Sequence, residues 1–431
     1  MRLGGRLAAA IEVLDDVSKR HRPVADALKD WGLSHRFAGS GDRSAIGNLV
    51  YDVLRRRRSF GWRMGNDSTR ALVFAALAEG YRLAPDAIEQ ALEGDRFAPK
   101  LPTPDELQRF GNVDLAKAPA AVRADVPDWL ASELEASLGE NWIAEASALS
   151  GRPPLDLRVN TLLGGRSKAE TALAEFGATP SRLSPVGLRI PPIKGAGRHP
   201  NVQSEATFLT GLVEVQDEGS QLASWLAGAK AGETVLDLCA GAGGKSLALA
   251  AAMEGQGTIH AFDSDKRRLA PIYDRLRRAD AKNVEPHGRA DELAGLENAC
   301  DLVLVDAPCT GSGTWRRRPD AKWRLSSSAL EKRMAEQDAV LNEAARFVRP
   351  GGRLAFVTCS ILARENGRRV EAFLQRHPGF AVEDAGGVWE NLLPGAPADY
   401  HAHTVGEGRT LTLTPLKSGT DGFFFARLVR R

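Results

Sequence analysis

The first hundred residues carry apolar positions at the spacing of amphipathic helices. GRLAAAIEVLDDVSKR, DSTRALVFAALAEGYRL and PDAIEQALEG each read as a helix, and no strand pattern interrupts residues 4–95. DRSAIGNLVYDVLRRRR begins at Asp42, which we take as its N-cap. One face of that helix carries Ile46, Leu49, Val50, Val53 and Leu54. The pattern predicts a small helical bundle.

The next stretch mixes linker, helix and strand signals. Residues 96–125 contain Pro99, Pro102, Pro104 and Pro119, which favours a linker. PDWLASELEASLGENWIAEASALS and SKAETALAEFG are predicted helices, whereas LDLRVNT and GLRIPP are predicted strands. We therefore expect a helical domain with its linker over residues 1–125 and a small α+β module over residues 126–212.

From about residue 213 buried strands alternate with helices. The strands are TVLDL, TIHAFD, DLVLVDAP, GGRLAFVTCS and GFFFARLVR, and the longest helix is SSALEKRMAEQDAVLNEAARFV. Apolar strands separated by helices predict a parallel, doubly wound sheet covered on both faces, so this is an α/β domain over residues 213–431. In such sheets ligands bind at the carboxyl ends of the strands.

Composition excludes several classes of protein. An apolar fraction of 43% rules out global disorder. Apolar runs such as ALVFAALA fall short of the ~20 residues of a membrane helix, and MRLGG does not begin a secretory signal. The 4 cysteines form no CxxC pair, so neither a disulfide framework nor a metal site is predicted. We expect a monomeric, cytoplasmic protein that does not contact membranes.

Charge is unevenly distributed although the net charge is only +2. Residues 1–70 carry 14 Lys and Arg against 8 Asp and Glu, and residues 151–200 carry 8 against 3. Residues 71–150 are acidic, with 6 against 14. The basic blocks could meet a phosphate backbone. Charge alone favours the plainer interpretation of solvated helix faces, and Arg55 to Arg58 fit either a helix C-terminus or a cationic ridge.

A glycine turn, DLCAGAGGKS, follows the first strand of the α/β domain. It is not a P-loop, because Cys239 stands at the first glycine position, and Ser246 breaks a GxGxxG pattern. What fits is a strand-end acid, Asp237, before Gly241 and Gly243, with Asp263 at the end of the next strand. A carboxylate at that place usually accepts hydrogen bonds from ribose hydroxyls. The arrangement resembles the S-adenosylmethionine site of class I methyltransferases.

Two cysteines follow two strands of the predicted sheet. Cys309 comes just after DLVLVDAP and Cys359 ends GGRLAFVTCS, so both thiols should emerge at the carboxyl edge of the sheet. We expect a functional pair there, whereas Cys239 and Cys300 fit small core hydrophobes.

A thiol suits a methyltransferase that acts on an unreactive carbon such as C5 of cytosine. Addition of a thiolate to C6 pushes electron density to C5. A free cysteine has a pKa of about 8.5, so nearby cations would assist its ionisation. Candidates are Arg316, Arg317, Arg318, Lys322 and Arg324. Asp306 is placed to hydrogen-bond the base edge, and spacing alone leaves open which cysteine is the nucleophile.

DAPCTGSG with RRRPDAKWR, TCSI with ENG, and DGFFFARL resemble the Nol/Nop/Sun family of RNA cytosine-5 methyltransferases. The N-terminal helices resemble the antitermination factor NusB. The resemblance implies S-adenosylmethionine as cofactor and a cytosine of 16S ribosomal RNA as substrate. It also implies that Cys359 is the nucleophile, that Cys309 assists product release and that Lys245 meets Asp306 or the substrate. Methylation of transfer RNA, or a non-catalytic RNA-binding or antitermination factor, are the alternatives.

The same resemblance assigns the cofactor site. Its residues here are Asp237, Cys239, Ala240, Gly241, Gly243, Gly244, Lys245, Asp263, Arg268, Asp291 and Asp306. The turn departs from the family, which usually has Ala-Pro where Gly241 and Ala242 stand. Arg289 occupies the usual acidic position after the third strand, so Asp291 is the substitute for the adenine contact.

Overall fold

The computed structural model describes residues 1–81, 85–193, 195 and 197–431. The chain divides into two compact units, and neither is continuous in sequence. The helical unit comprises Met1–Pro153, Pro192–His199 and Trp315–Leu325. The sheet unit comprises Pro154–Pro191, Pro200–Thr314 and Ser326–Arg431. The division at residues 125 and 212 stays a prediction.

Helices build the helical unit, as the apolar spacing predicts. In chain order they are α1 Leu3–Arg20, α2 Val24–Ser34, α3 Ser40–Arg55, α4 Arg57–Met64, α5 Thr69–Tyr81, α6 Pro85–Leu92, α7 Pro104–Asn112, α8 Ala120–Arg123, α9 Asp128–Leu138 and α10 Trp142–Ala148. The predicted apolar face of α3 is confirmed, because Ile46 and Val50 are fully buried in the core. The predicted N-cap is wrong. Gly39 precedes the helix, and Asp42 lies in its first turn, where it accepts a hydrogen bond from Arg6 at 2.9 Å.

The predicted linker contains two helices, α7 and α8. The Thr103 hydroxyl accepts a hydrogen bond from the Glu106 amide, and the Glu106 carboxylate accepts one from the Thr103 amide at 2.7 Å. Pro104 occupies the first turn. A capping box with proline in the first helical turn is a typical helix start. Pro104 therefore marks the beginning of a helix inside the predicted linker.

The four arginines lie at a break between α3 and α4 rather than along one helix. Arg55 is 8% exposed and donates to the carbonyl of Arg316 at 2.9 Å. Arg56 forms an ion pair with Glu79. Arg58 pairs with Asp128 at 2.8 Å. Partners inside the helical unit therefore account for much of this charge.

The segment Trp315–Leu325 packs within the helical unit. Its helix, Pro319–Arg324, places the buried Lys322 ammonium 2.8 Å from the Arg55 carbonyl oxygen, and burial lowers the Lys322 pKa to about 8. Trp323 donates to the Leu54 carbonyl at 2.7 Å, and Arg324 pairs with Asp320 at 2.9 Å. Lys322 and Arg324 therefore have partners within this unit, and the expectation that they assist the Cys309 thiol stays a prediction.

A small sheet opens the sheet unit. Its strands are β1 Leu155–Val159, β2 Thr179–Pro180, β3 Gly187–Ile190 and β4 Val213–Val215, in the antiparallel order β2-β3-β1-β4. Helices α11 Arg166–Ala172 and α12 Ala206–Leu209 accompany it. Leu157, Ala169, Leu188 and Val213 share one buried core, so the predicted α+β pattern is present.

The large sheet contains nine strands in the order β11-β12-β13-β9-β8-β5-β6-β7, with β10 paired to β13. The strands are β5 Thr234–Asp237, β6 Thr258–Phe262, β7 Val284–His287, β8 Cys300–Asp306, β9 Val348–Thr358, β10 Phe380–Val382, β11 His401–Val405, β12 Gly408–Leu413 and β13 Phe423–Arg430. Strands β5 to β9 are parallel, but β10 to β13 pair antiparallel. The Rossmann-like sheet is confirmed, and the expectation of an entirely parallel sheet is wrong.

Helices cover both faces of this sheet. They are α13 Glu218–Leu226, α14 Gly244–Ala252, α15 Lys266–Leu269, α16 Ile272–Ala279, α18 Ser327–Phe347, α19 Gly367–Arg376 and α20 Ala385–Leu392. Helix α17, Pro319–Arg324, belongs to the helical unit. Val235 packs in the core on one face and Leu236 in the core on the other, since successive strand residues point to opposite sides. Among the described helices none is long and apolar enough to span a membrane.

Candidate active site

The glycine turn connects β5 to α14 and has the backbone form that its sequence indicates. Gly241 and Gly243 both have positive φ, at 52° and 80°, which only glycine adopts at little cost. A Cβ at position 243 would lie 2.4 Å from Cγ1 of the buried Ile272. Arg275, which the sequence analysis missed, donates to the Ala242 carbonyl at 2.8 Å and holds the turn from outside.

Asp263 joins the turn to the end of β6, as predicted. Its carboxylate accepts the Gly241 amide at 2.9 Å and the Asp265 amide at 2.9 Å. The Ala240 amide also donates to the Phe262 carbonyl, at 2.8 Å. Arg268 lies 3.7 Å from the same carboxylate, with its own side chain largely exposed. The predicted residues of the turn and Asp263 therefore form one assembly.

Asp237 lies beneath this turn and is completely buried. One carboxylate oxygen accepts the Ser246 hydroxyl at 2.7 Å, and the other has no hydrogen-bond partner within the described chain. Burial raises the pKa of Asp237 to about 7. A buried acceptor without a donor fits a site completed by a ligand that carries hydrogen-bond donors or positive charge.

Lys245 reaches from the start of α14 to Asp306 at the end of β8. The Nζ to Oδ2 distance is 2.5 Å, and the ammonium is 5.6 Å from the centre of the Phe423 ring. Burial opposes the lysine charge, but Asp306 outweighs it and raises the pKa of Lys245. The Asp306 side chain keeps 33% of its surface exposed. Lys245 therefore stays charged and leaves part of the carboxylate open to a ligand.

The two predicted thiols lie side by side. Strands β8 and β9 are parallel neighbours, with Asp306 paired to Val357, so the loops after them leave the same edge of the sheet. Cys309 Sγ and Cys359 Sγ are 3.4 Å apart. Contact with Cys359, together with burial, raises the pKa of Cys309 well above its ordinary value. The two sulfur atoms lie within hydrogen-bond distance, and either thiol can be the donor.

Glu365 ties the two cysteine loops together. It is fully buried, and its carboxylate accepts the Thr310 amide at 2.7 Å, the Thr310 hydroxyl at 2.5 Å and the Ser360 hydroxyl at 2.6 Å. Thr310 follows Cys309 and Ser360 follows Cys359. Glu365 begins the ENG motif, to which the sequence alone assigned no role. The hydroxyl residue after each cysteine was the signal that could have identified it.

Further hydrogen bonds hold the same two loops. Ser312 and Ser360 share a hydrogen bond at 2.9 Å, and the Gly313 amide donates to the Cys359 carbonyl at 3.0 Å. Asn366 donates to the Ser360 carbonyl at 2.9 Å, and Gln337 of α18 donates to the Pro308 carbonyl at 2.9 Å. These groups are buried, so both thiols stand on a rigid polar support.

The remaining predicted residues are less closely associated with the site. Gly244 begins α14. Cys239 is half-buried against the sheet core that contains Leu236, and burial raises the pKa of its thiol. Cys300 is a core residue, as predicted. Asp291 lies in a short 3₁₀ helix after β7 and is exposed, where its carboxylate pairs with Arg289 rather than with another predicted site residue. Its adenine contact stays a prediction.

Parallel strands whose carboxyl ends bear the glycine turn, Asp263 and Asp306 place this unit among Rossmann-like methyltransferases. Comparison with known proteins extends this conclusion. Residues 223–429 match the family model of 16S rRNA methyltransferase RsmB/F, and residues 126–192 match the RsmF/B-like ferredoxin-like domain.

Individual relatives support the same family assignment. Ribosomal RNA small subunit methyltransferase B of Erwinia tasmaniensis is 31% identical, over 98% of this chain and 98% of that protein. The Cronobacter sakazakii protein of the same name is 32% identical over 71% of this chain, a match that spans 66% of that protein's length. The crystal structure of PH0851 covers 99% of both chains with a TM-score of 0.73 and 27% identity.

The chain belongs to the RsmB/F family of 16S rRNA methyltransferases. The resemblance drawn from DAPCTGSG, TCSI and DGFFFARL is thus confirmed at the level of the family. Family membership also confirms the predicted cofactor, S-adenosylmethionine.

Proposed function

We propose that this protein methylates C5 of a cytosine in 16S ribosomal RNA through a covalent bond between Cys359 and C6 of the base. The observation that carries the proposal is the 3.4 Å pair of thiols at the carboxyl edge of adjacent parallel strands. Methylation of a nitrogen or oxygen would need no thiol, whereas C5 of cytosine needs a nucleophile at C6. Two adjacent thiols suit a reaction in which one thiol adds to C6 and the other assists its later elimination.

The cofactor supplies an electrophilic methyl group, and the residues of the turn fit it. Asp263 keeps lone pairs for ribose hydroxyls beyond the two amides it accepts, and Gly241 presents bare backbone. The unpartnered oxygen of Asp237 offers a hydrogen-bond acceptor beneath the turn. These residues would bind the cofactor at the carboxyl ends of β5 and β6.

Each residue near the thiols has a step in the reaction. Cys359 attacks C6 as a thiolate, and the Cys309 sulfur lies within hydrogen-bond distance of it, at 3.4 Å. Asp306 meets the base edge and supports charge at N3 while the C6–S bond forms. Lys245 holds Asp306 in place and keeps positive charge nearby. After methyl transfer the C5 proton passes to water, and the electrons of the C5–H bond restore the C5=C6 double bond. The C6–S bond breaks with its electrons leaving on the Cys359 thiolate, and Cys309 assists this release.

Cysteine variants test this assignment. We expect Cys359→Ala to abolish methyl transfer to 16S RNA, whereas Cys309→Ala should accumulate a protein–RNA adduct that survives denaturing electrophoresis. Cys300→Ala is the matched control, because Cys300 lies in the core and should retain turnover. Full turnover by Cys359→Ala would overturn the mechanism.

The substrate requires a separate test. Bisulfite mapping of RNA from cells with and without the protein should show one cytosine of 16S RNA that loses its modification. Loss in a transfer RNA instead would support that alternative substrate. A protein that fails to bind S-adenosylmethionine in calorimetry would be an RNA-binding or antitermination factor and not an enzyme. Gel filtration would test the predicted monomer.

A further inference from the structure

Two neighbouring strands of the large sheet bring two histidines and a glutamate to one face. His260 lies in β6, and Glu285 and His287 lie in β7. The strands are parallel, with His260 paired to Glu285 and Phe262 paired to His287. Because side chains alternate along a strand, Glu285 and His287 point to the same side. The three residues are separated by up to 27 positions in sequence, so no local motif reveals them.

The ligand atoms of this cluster are close to one another. His260 Nδ1 lies 2.9 Å from His287 Nε2, and 3.5 Å from a Glu285 carboxylate oxygen. One ligand atom from each of the three residues lies within 4.8 Å of the others. The imidazoles retain only 15% and 17% exposure, whereas Glu285 is 60% exposed. The cluster is thus sheltered on the histidine side and open on the glutamate side.

A second carboxylate, Glu292, lies next to the outer ring nitrogen of His287. Glu292 Oε2 lies 3.6 Å from His287 Nδ1, the ring nitrogen that faces away from His260, and the same oxygen accepts the Gly288 amide at 3.1 Å. A histidine that binds metal through one nitrogen usually offers the other to a carboxylate, which sets the ring orientation. His287 in β7 has this arrangement, with Glu292 of the following 3₁₀ helix as the carboxylate.

We propose that His260, Glu285 and His287 form a binding site for a divalent transition metal ion of the zinc class. Two imidazole nitrogens and one carboxylate oxygen suit Zn²⁺, whereas Mg²⁺ and Ca²⁺ prefer oxygen ligands alone. Three protein ligands leave a coordination position for water on the exposed side. Such an ion would cross-link β6 and β7, the last two strands at this end of the sheet.

The simpler interpretation is a hydrogen bond between two neutral imidazoles. The 2.9 Å separation allows it, with one ring as donor and the other as acceptor. The two interpretations differ in a measurable way, because a hydrogen-bonded pair has no requirement for Glu285 and gains no stability from a metal ion.

Titration calorimetry of the chelator-treated full chain with Zn²⁺ tests the site. Wild type should bind one ion here. His287→Gln and Glu285→Gln each remove a direct ligand, so each should weaken binding by no less than the about 10–100-fold that loss of an outer-shell partner costs. Glu285 is exposed, so its variant should fold even if a histidine variant does not. His401→Gln is the matched control, because His401 lies near His403 on a different part of the sheet and should leave the affinity unchanged.

The thiols need their own control, since Cys309 and Cys359 are also good zinc ligands. Co²⁺ separates the two sites, because thiolate ligands give an intense near-ultraviolet charge-transfer band that nitrogen and oxygen ligands lack. We expect Co²⁺ binding without that band, retained in Cys359→Ser and lost in His287→Gln. Absence of Zn²⁺ binding at micromolar concentration, or binding that survives both His287→Gln and Glu285→Gln, would overturn the proposal.

Discussion

The Glu365 carboxylate accepts both the amide and the hydroxyl of Thr310, 55 residues away in sequence, at 2.7 and 2.5 Å. Through its bond to Ser360 it also reaches the second cysteine loop. This buried side chain thus links the two cysteine loops without a hydrogen bond to either sulfur. Glu365 is a positioning residue for the proposed reaction.

Glu365→Ala should reduce the rate of methyl transfer by about 100-fold, because loss of the clamp lets the loops shift and small displacements at a reacting centre are costly. The KM for RNA should change little, since Glu365 is buried away from the surface. Single-turnover kinetics would measure both quantities. Glu371→Ala on the exposed side of α19 is the control, and an equal loss of rate in that variant would contradict the assignment.

Mild oxidation should join Cys309 to Cys359. Their sulfur atoms need to approach by only about 1.4 Å to reach the length of a disulfide bond. Diamide should therefore produce a cross-linked peptide pair, visible by mass spectrometry, and abolish methyl transfer until a reductant is added. Cys300 is buried in the core and should stay reduced. Unimpaired activity of the cross-linked protein would show that neither thiol acts in catalysis.

Gly243→Ala should destabilise the sheet unit by about 2–5 kcal/mol, combining a left-handed backbone with overpacking. The new Cβ would lie 2.4 Å from Ile272, which is fully buried. Gly232→Ala supplies the matched control. Its φ is 85°, but a Cβ there would meet no atom within 4 Å, so only the backbone cost of about 1–2 kcal/mol applies. Urea unfolding measures both, and equal losses would contradict the packing argument.

Stability should depend on pH through Asp237. Its pKa is about 7 in the folded protein against an ordinary value of 3.8, so the folded state binds the proton more tightly than the unfolded state. The free energy of unfolding should then fall as pH rises from about 4 to about 7, by up to about 4 kcal/mol. Asp237→Asn cannot ionise and keeps an acceptor for Ser246.

Urea unfolding of wild type and Asp237→Asn at pH 5 and pH 8 would check this dependence. The variant should gain stability relative to wild type at the higher pH. An identical difference at both values would mean that Asp237 does not titrate in this range.

Local patterns were sufficient to predict the glycine turn and its surroundings. Gly241, Gly243, Asp263 and Lys245 lie within a short strand–turn–helix–strand segment, so sequence spacing determines most of their geometry. The thiol pair also followed from order alone, because the ends of neighbouring parallel strands meet at one edge.

Contacts between distant segments were not predictable in this way. Strand β11 carries two half-buried histidines instead of an apolar alternation, so its pairing with β12, which in turn pairs with β13, defines it more than propensity does. The Glu365 clamp and the His260 cluster both depend on residues brought together by strand order. The sequence likewise did not indicate that Lys322 and Trp323, in the basic run after Cys309, donate to the carbonyls of Arg55 and Leu54.

The placement of Trp315–Leu325 in the helical unit has a consequence for the order of synthesis. The last residues of that unit leave the ribosome after β5 to β8, the first four strands of the large sheet. A nascent helical unit therefore lacks the hydrogen bonds of Lys322 and Trp323 to the junction of α3 and α4 until most of the catalytic strands exist. A fragment that stops at Pro153 would lack them permanently, so the helical unit should be studied with this segment supplied in trans.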